Sequence, residues 1–80
     1  MIERVAETIR RYIVESFMLQ DDELGVDTSL IESGIVDSTG IMEIVTFLEE
    51  TFGIELDDED LVADNLDSVA RLARVVSNRR

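Results

Sequence analysis

Apolar residues recur every three or four positions along three stretches of this chain, and that spacing commits most of it to helix. In the first stretch Val5, Ile9, Ile13 and Phe17 stand at i+4 steps, with Ile2 and Tyr12 flanking the stripe. The spacing predicts a helix from about Ile2 to Met18. In the second, Ile41, Ile44, Val45, Leu48 and Phe52 form one stripe from about Ser38 to Thr51, and Gly53 supplies a stop. In the third, Val69, Leu72, Ala73 and Val76 follow Asp67, read as the cap, with Arg71, Arg74, Arg79 and Arg80 riding outside. Those arginines lie toward the C-terminal end, where they complement the helix dipole.

Two connections complete the chain. Residues 19–37, "LQDDELGVDTSLIESGIVD", form a long loop in which Gly25 and Gly34 suit turns and several apolar residues can pin it down. The stretch "IELDDEDLVADN" reads as a short extended piece and a brief helical turn or two near Asp58–Ala63. Strand candidates are scarce. The expected fold is all-α: a small four-helix bundle of three longer helices and one short third helix, with a long loop between helices 1 and 2. One domain spanning residues 1–80 is expected, near the lower size limit for folding without staples.

Charge is strongly segregated. Residues 21–67 hold sixteen Asp and Glu and no base, whereas the two flanks together hold seven arginines and only three glutamates. The net charge is −12, and lysine is absent. Such a field repels nucleic acid and anionic membrane and draws in basic protein surfaces. Across 47 residues the acids have no base near them in sequence, so the short third helix is expected to loosen at low salt. The chain has no cysteine and no histidine, which removes disulfides, thiolate metal sites and the usual neutral-pH proton shuttle. The acid run from Asp57 puts Val62 and Ser68 where a calcium loop needs glycine and glutamate, so no dedicated metal site is expected, and weak divalent binding by the clustered carboxylates is left open. Charges within the first helical repeat argue against a signal peptide, and no apolar run reaches membrane-spanning length. A soluble, cytoplasmic monomer is the expectation.

The stretch "GIVDSTGIMEI" carries the functional question. Asp and Ser are preferred caps, and an Asp-Ser pair before a helix most often does nothing else. Catalysis by Ser38 is disfavoured, because the chain offers neither histidine nor lysine as a base. No enzymatic activity is expected. A serine at a helix start can still be modified, since its hydroxyl meets solvent beside the positive end of the dipole.

The run "LIESGIVDSTGIMEIVTFLEETFGIEL" resembles the acyl carrier protein family, including the peptidyl carriers of nonribosomal synthesis. Gly34, Asp37, Ser38, Glu43, Leu48 and the ending "EETFGI" match the family pattern as they stand. The resemblance implies that Ser38 carries 4′-phosphopantetheine, transferred from coenzyme A by a separate phosphopantetheinyl transferase using magnesium. Asp37 would then hold the turn or help ligate that enzyme's metal. The arm's thiol would hold acyl or aminoacyl groups for enzymes of fatty acid, polyketide or nonribosomal peptide synthesis. Ligases, synthases or acyltransferases with basic docking patches are the implied partners.

On the helix starting at Ser38, the stripe leaves Thr39, Met42, Glu43, Thr46 and Glu49 toward solvent as docking candidates. In the family, an exposed apolar residue four after the serine touches partner enzymes, which here is Met42. Ile41, Val45, Ile54, Leu61 and Val62 either line a cavity for an acyl chain or pack as ordinary core. Thr39 and Gly40 stand where many members have leucine and an acid. The glycine either admits close approach of a partner or of the arm, or softens the first turn. These departures point to a stand-alone carrier of a specialised pathway, charged by an adenylating ligase. The competing reading is an acidic module that binds basic partners or mimics nucleic acid, with Ser38 only a cap.

Overall fold

The computed structural model describes residues 2–79, with only the backbone described at residues 2, 3, 63 and 64. The expected places of Ile2 beside the first stripe and of Arg80 outside the last helix therefore lie outside the described residues. Three long helices, α1 (Ile2–Ser16), α2 (Ser38–Phe52) and α4 (Val69–Arg79), pack around one apolar centre. A four-residue helical turn, α3 (Ala63–Leu66), leads into α4, and the described residues contain no strand. The spacing dictates the packing. Val5, Ile9 and Ile13 of α1 meet Val69, Leu72, Ala73 and Val76 of α4, with Ile44 and Leu48 of α2 in the same buried cluster.

The short helix falls later than the sequence suggests. Residues 57–60 are four consecutive acids, and they form a single tight turn instead of a helix. The Asp60 N–H donates to the Asp57 carbonyl (2.9 Å) while Asp60 Oδ2 accepts from the Asp57 N–H (3.1 Å). Arg79 then clamps both carboxylates, at 3.0 Å to Asp57 and 2.7 Å to Asp60. Like charges stacked at i+3 and i+4 would oppose a longer helix here. The chain instead turns extended at Val62 and restarts as α3.

Arg79 thus does more than ride outside, and Arg10 plays a matching part in α1. The Arg10 Nε donates to the Leu24 carbonyl (2.8 Å), and its guanidinium pairs with Asp21 at 3.1 Å while also donating to the Asp21 carbonyl. Bases from the two flanks therefore reach across to the acidic middle. The acids around Asp21, Asp57 and Asp60 are less exposed to mutual repulsion than their sequence neighbourhood implies.

The long loop is pinned at several points. Leu24, Leu30 and Val36 are buried. The Ala70 N–H donates to the Val26 carbonyl (2.9 Å) and the Leu30 N–H to the Asp67 carbonyl (2.8 Å). Asp67 does not cap α4 as its position suggests. Its Oδ1 accepts from the Ile31 N–H (2.9 Å) and its Oδ2 from the Ser29 hydroxyl (2.7 Å). Ser68, buried, is the cap instead, accepting the Arg71 N–H on Oγ at 3.2 Å.

The two long-helix ends ahead of loops differ instructively. α2 stops at Gly53, left-handed at φ 64°, whose N–H donates to the Glu49 carbonyl. α1 stops in the same way, with the Leu19 N–H donating to the Val14 carbonyl (2.9 Å), but the left-handed residue is Met18 at φ 56°. Met18 is 91% exposed, so its side chain gains no burial to offset that strain. Met18→Gly is expected to raise stability by about 0.5 kcal/mol, the relief of strain exceeding glycine's entropic cost. Chemical denaturation of the two proteins would check it.

Candidate functional site

The site is the start of α2. Asp37 is extended (φ −108°, ψ −170°) and its Oδ1 accepts the Gly40 N–H at 2.8 Å, while its carbonyl accepts the Ile41 N–H at 3.0 Å. Asp37 is therefore the cap, and Ser38 is the first helical residue. Ser38 is exposed, and its hydroxyl makes no hydrogen bond among the described residues. The reading of Ser38 as a mere cap loses its basis, because that role is already filled. No acidic residue stands in the first turn of α2. The amides of Ser38 and Thr39 have no intrahelical acceptor, so they lend the hydroxyl a positive setting.

Gly40 explains how this end is held. It is buried, and a Cβ there would lie 3.1 Å from Val36 Cβ and 3.3 Å from the Phe17 ring. The close approach that glycine admits is made by this chain's own Phe17 and Val36. The first turn of α2 is thereby seated on the end of α1 and on the loop. An exposed hydroxyl on a capped and seated helix start suits covalent attachment of a phosphate-linked arm.

A family model described as "Phosphopantetheine attachment site" matches residues 7–76. An acyl carrier protein from Campylobacter hominis is 34% identical over 74 residues, covering 92% of this chain and 91% of that protein.

The chain belongs to the acyl carrier protein family.

Acyl carrier proteins are carriers without catalytic activity, and their cofactor is 4′-phosphopantetheine. They work with a phosphopantetheinyl transferase and with biosynthetic enzymes. Among the described residues, no helix of this carrier is long and apolar enough to cross a membrane.

Thr39, Met42, Glu43 and Thr46 are exposed on α2, with Met42 at 53%. Glu49 differs. It is half-buried, and its Oε2 accepts the Leu56 N–H at 3.0 Å, so its carboxylate holds the chain after α2. Of the cavity candidates, Ile41 and Val45 are buried in the core, and Ile54 and Leu61 pack against it. Val62 stands apart, 47% exposed, because the backbone is extended there ahead of α3. Helical periodicity does not reveal the Tyr12–Phe47 stack between α1 and α2, with ring centroids 3.8 Å apart. Its signal was two aromatics at positions beside, not within, the apolar stripes.

Proposed function

We propose that Ser38 is the attachment residue of this acyl carrier protein and that the exposed face of α2 presents it to partner enzymes. The observation that carries the reading is the division of labour at residues 37–38: Asp37 closes the helix end, and Ser38 leaves its hydroxyl unbonded and exposed. When bound, the arm supplies a flexible thiol on which acyl or aminoacyl groups travel as thioesters. Asp37 and the Gly40 seat hold the backbone that presents the hydroxyl to the modifying enzyme. Thr39, Met42, Glu43 and Thr46 form the docking surface, Met42 as an adaptable apolar contact and Glu43 as the partner of basic residues. Ile41 and Val45 with Ile54 and Leu61 are the walls that would part to shelter an acyl chain, and Val62 lies at their edge.

The pathway reading follows from Thr39 and Gly40, which replace the usual apolar and acidic residues beside the serine. They favour a stand-alone carrier of a specialised route, charged by an adenylating ligase, over general fatty acid synthesis. A cytoplasmic carrier that meets neither nucleic acid nor membrane fits the net charge of −12. The test is intact mass after incubation with coenzyme A, magnesium and a broad-specificity phosphopantetheinyl transferase, with Ser38→Ala beside the unmodified sequence. One phosphopantetheine on the chain that keeps Ser38, and none on Ser38→Ala, overturns the acidic-module reading. None on either, in folded samples, overturns the present one.

A further inference from the structure

The groove between α1 and α2 is left unused by the carrier reading. It encloses about 420 Å³, and its walls carry Arg4, Glu7, Arg11 and Glu15 of α1 with Tyr12 and Phe47. The two rings lie nearly parallel, 9° apart, and each is half-buried, so apolar ring surface meets water inside a charged rim. Ser38 is not among the lining residues.

The rim has a pattern. Along one face of α1 the charges alternate as Arg4, Glu7, Arg11 and Glu15, at steps of three and four residues. Read backwards, the order is its own complement. A second copy laid antiparallel sets Arg4 against the partner's Glu15 and Glu7 against the partner's Arg11, and symmetry repeats each pair. The midpoints of the two pairs differ by half a residue, under about 1 Å of helix rise. A parallel copy would set like charges together. Thr8, also on this wall, is small enough to let two helices approach.

The groups are available. Among the described residues Arg4 and Glu15 make no ion pair within the chain. Glu7 and Arg11 pair loosely at 3.8 Å, with side chains 56% and 69% exposed. The field also selects this face. Two molecules of net charge −12 repel, but the acids concentrate in residues 21–67, while this face carries as many bases as acids. We infer that two copies of this chain associate reversibly through this face, α1 antiparallel to the partner's α1, with each copy's Tyr12–Phe47 rings flanking the charged seam.

The test is sedimentation velocity from micromolar to millimolar concentration on Arg11→Glu, Glu7→Arg and their equimolar mixture. Alone, each variant sets like charges opposite one another and is expected to associate about tenfold more weakly than the unmodified chain, or not at all. Mixed, the two restore opposite charges at both inner pairs, and association is expected to return. Arg74→Glu, which adds the same negative charge as Arg11→Glu on another helix, is expected to leave it unchanged. An unmodified chain that stays monomeric at millimolar concentration overturns the inference. So does a mixture no stronger than its components, or an Arg74→Glu effect equal to that of Arg11→Glu. Should circular dichroism find either inner variant unfolded, Arg4→Glu and Glu15→Arg repeat the exchange at the outer pair.

Discussion

Ser38→Ala is expected to take up no phosphopantetheine at all while melting within about 2 °C of the unmodified chain. Both halves follow from the start of α2. The hydroxyl is the proposed point of attachment, so its loss is all-or-none. It makes no hydrogen bond among the described residues and is exposed, so its removal orphans nothing. Alanine is also the better helix former at a first-turn position. Asp37→Ala reverses the pattern. It removes the acceptor of the Gly40 N–H and is expected to cost about 1 kcal/mol, or roughly 4–8 °C in melting temperature for a domain of this size. The hydroxyl stays in place, so mass uptake at long incubation is expected to persist. A large stability loss in Ser38→Ala would instead return the serine to a structural role. Mass spectrometry and thermal melting on one set of samples separate these outcomes.

What the sequence disclosed, and what it hid, divides along physical lines. The i+4 stripes located α1, α2 and α4 because burial of one helical face is a local pattern that needs no partner to be read. Gly53 was legible as a stop because a left-handed C-cap has a strong residue preference. Met18 was not, since it adopts the same conformation against that preference. Asp67 and Ser68 are both good caps, and only the tertiary partner decides between them. Ser29 and the Ile31 N–H, 38 and 36 residues away, take the aspartate, and the cap falls to the serine. Glu49 misleads in the same way, exposed by helical phase yet held by a backbone amide seven residues on. Charge balance was the least legible feature. A count along the sequence leaves the acidic middle without bases, but α1 and α4 bring Arg10 and Arg79 to it. The site itself was largely readable because its residues are neighbours in sequence. The seat of Phe17 on Gly40 was not, as those residues lie 23 positions apart in the chain.

That long-range stitching gives Asp67 a structural role well beyond a helix cap. Its carboxylate and carbonyl together accept three hydrogen bonds from residues 29–31, tying the loop that leads to Ser38 onto the α3–α4 junction. Asp67→Ala leaves the Ile31 N–H and the Ser29 hydroxyl without their acceptors and is expected to cost about 1–2 kcal/mol, or roughly 4–16 °C in melting temperature. Asp67→Asn keeps one acceptor and is expected to lose less. The charged form is itself favoured here. The Ile31 N–H first, and the Ser29 hydroxyl next, hold the carboxyl below its ordinary range, with nearby Arg71 adding to the effect while desolvation opposes it. A carboxyl lowered on folding stabilises the protein fully above its unfolded pKa, and that contribution fades as the pH falls through the lower, folded value. Stability is therefore expected to drop below about pH 4, and part of that drop is expected to vanish in Asp67→Asn, which has no proton to bind. Denaturation midpoints of the two proteins from neutral pH down to about pH 3 give the comparison. Parallel acid profiles would show that Asp67 contributes through its shape alone. Converging profiles would show that the ionised carboxylate is what fastens the loop behind Ser38 to the rest of the bundle.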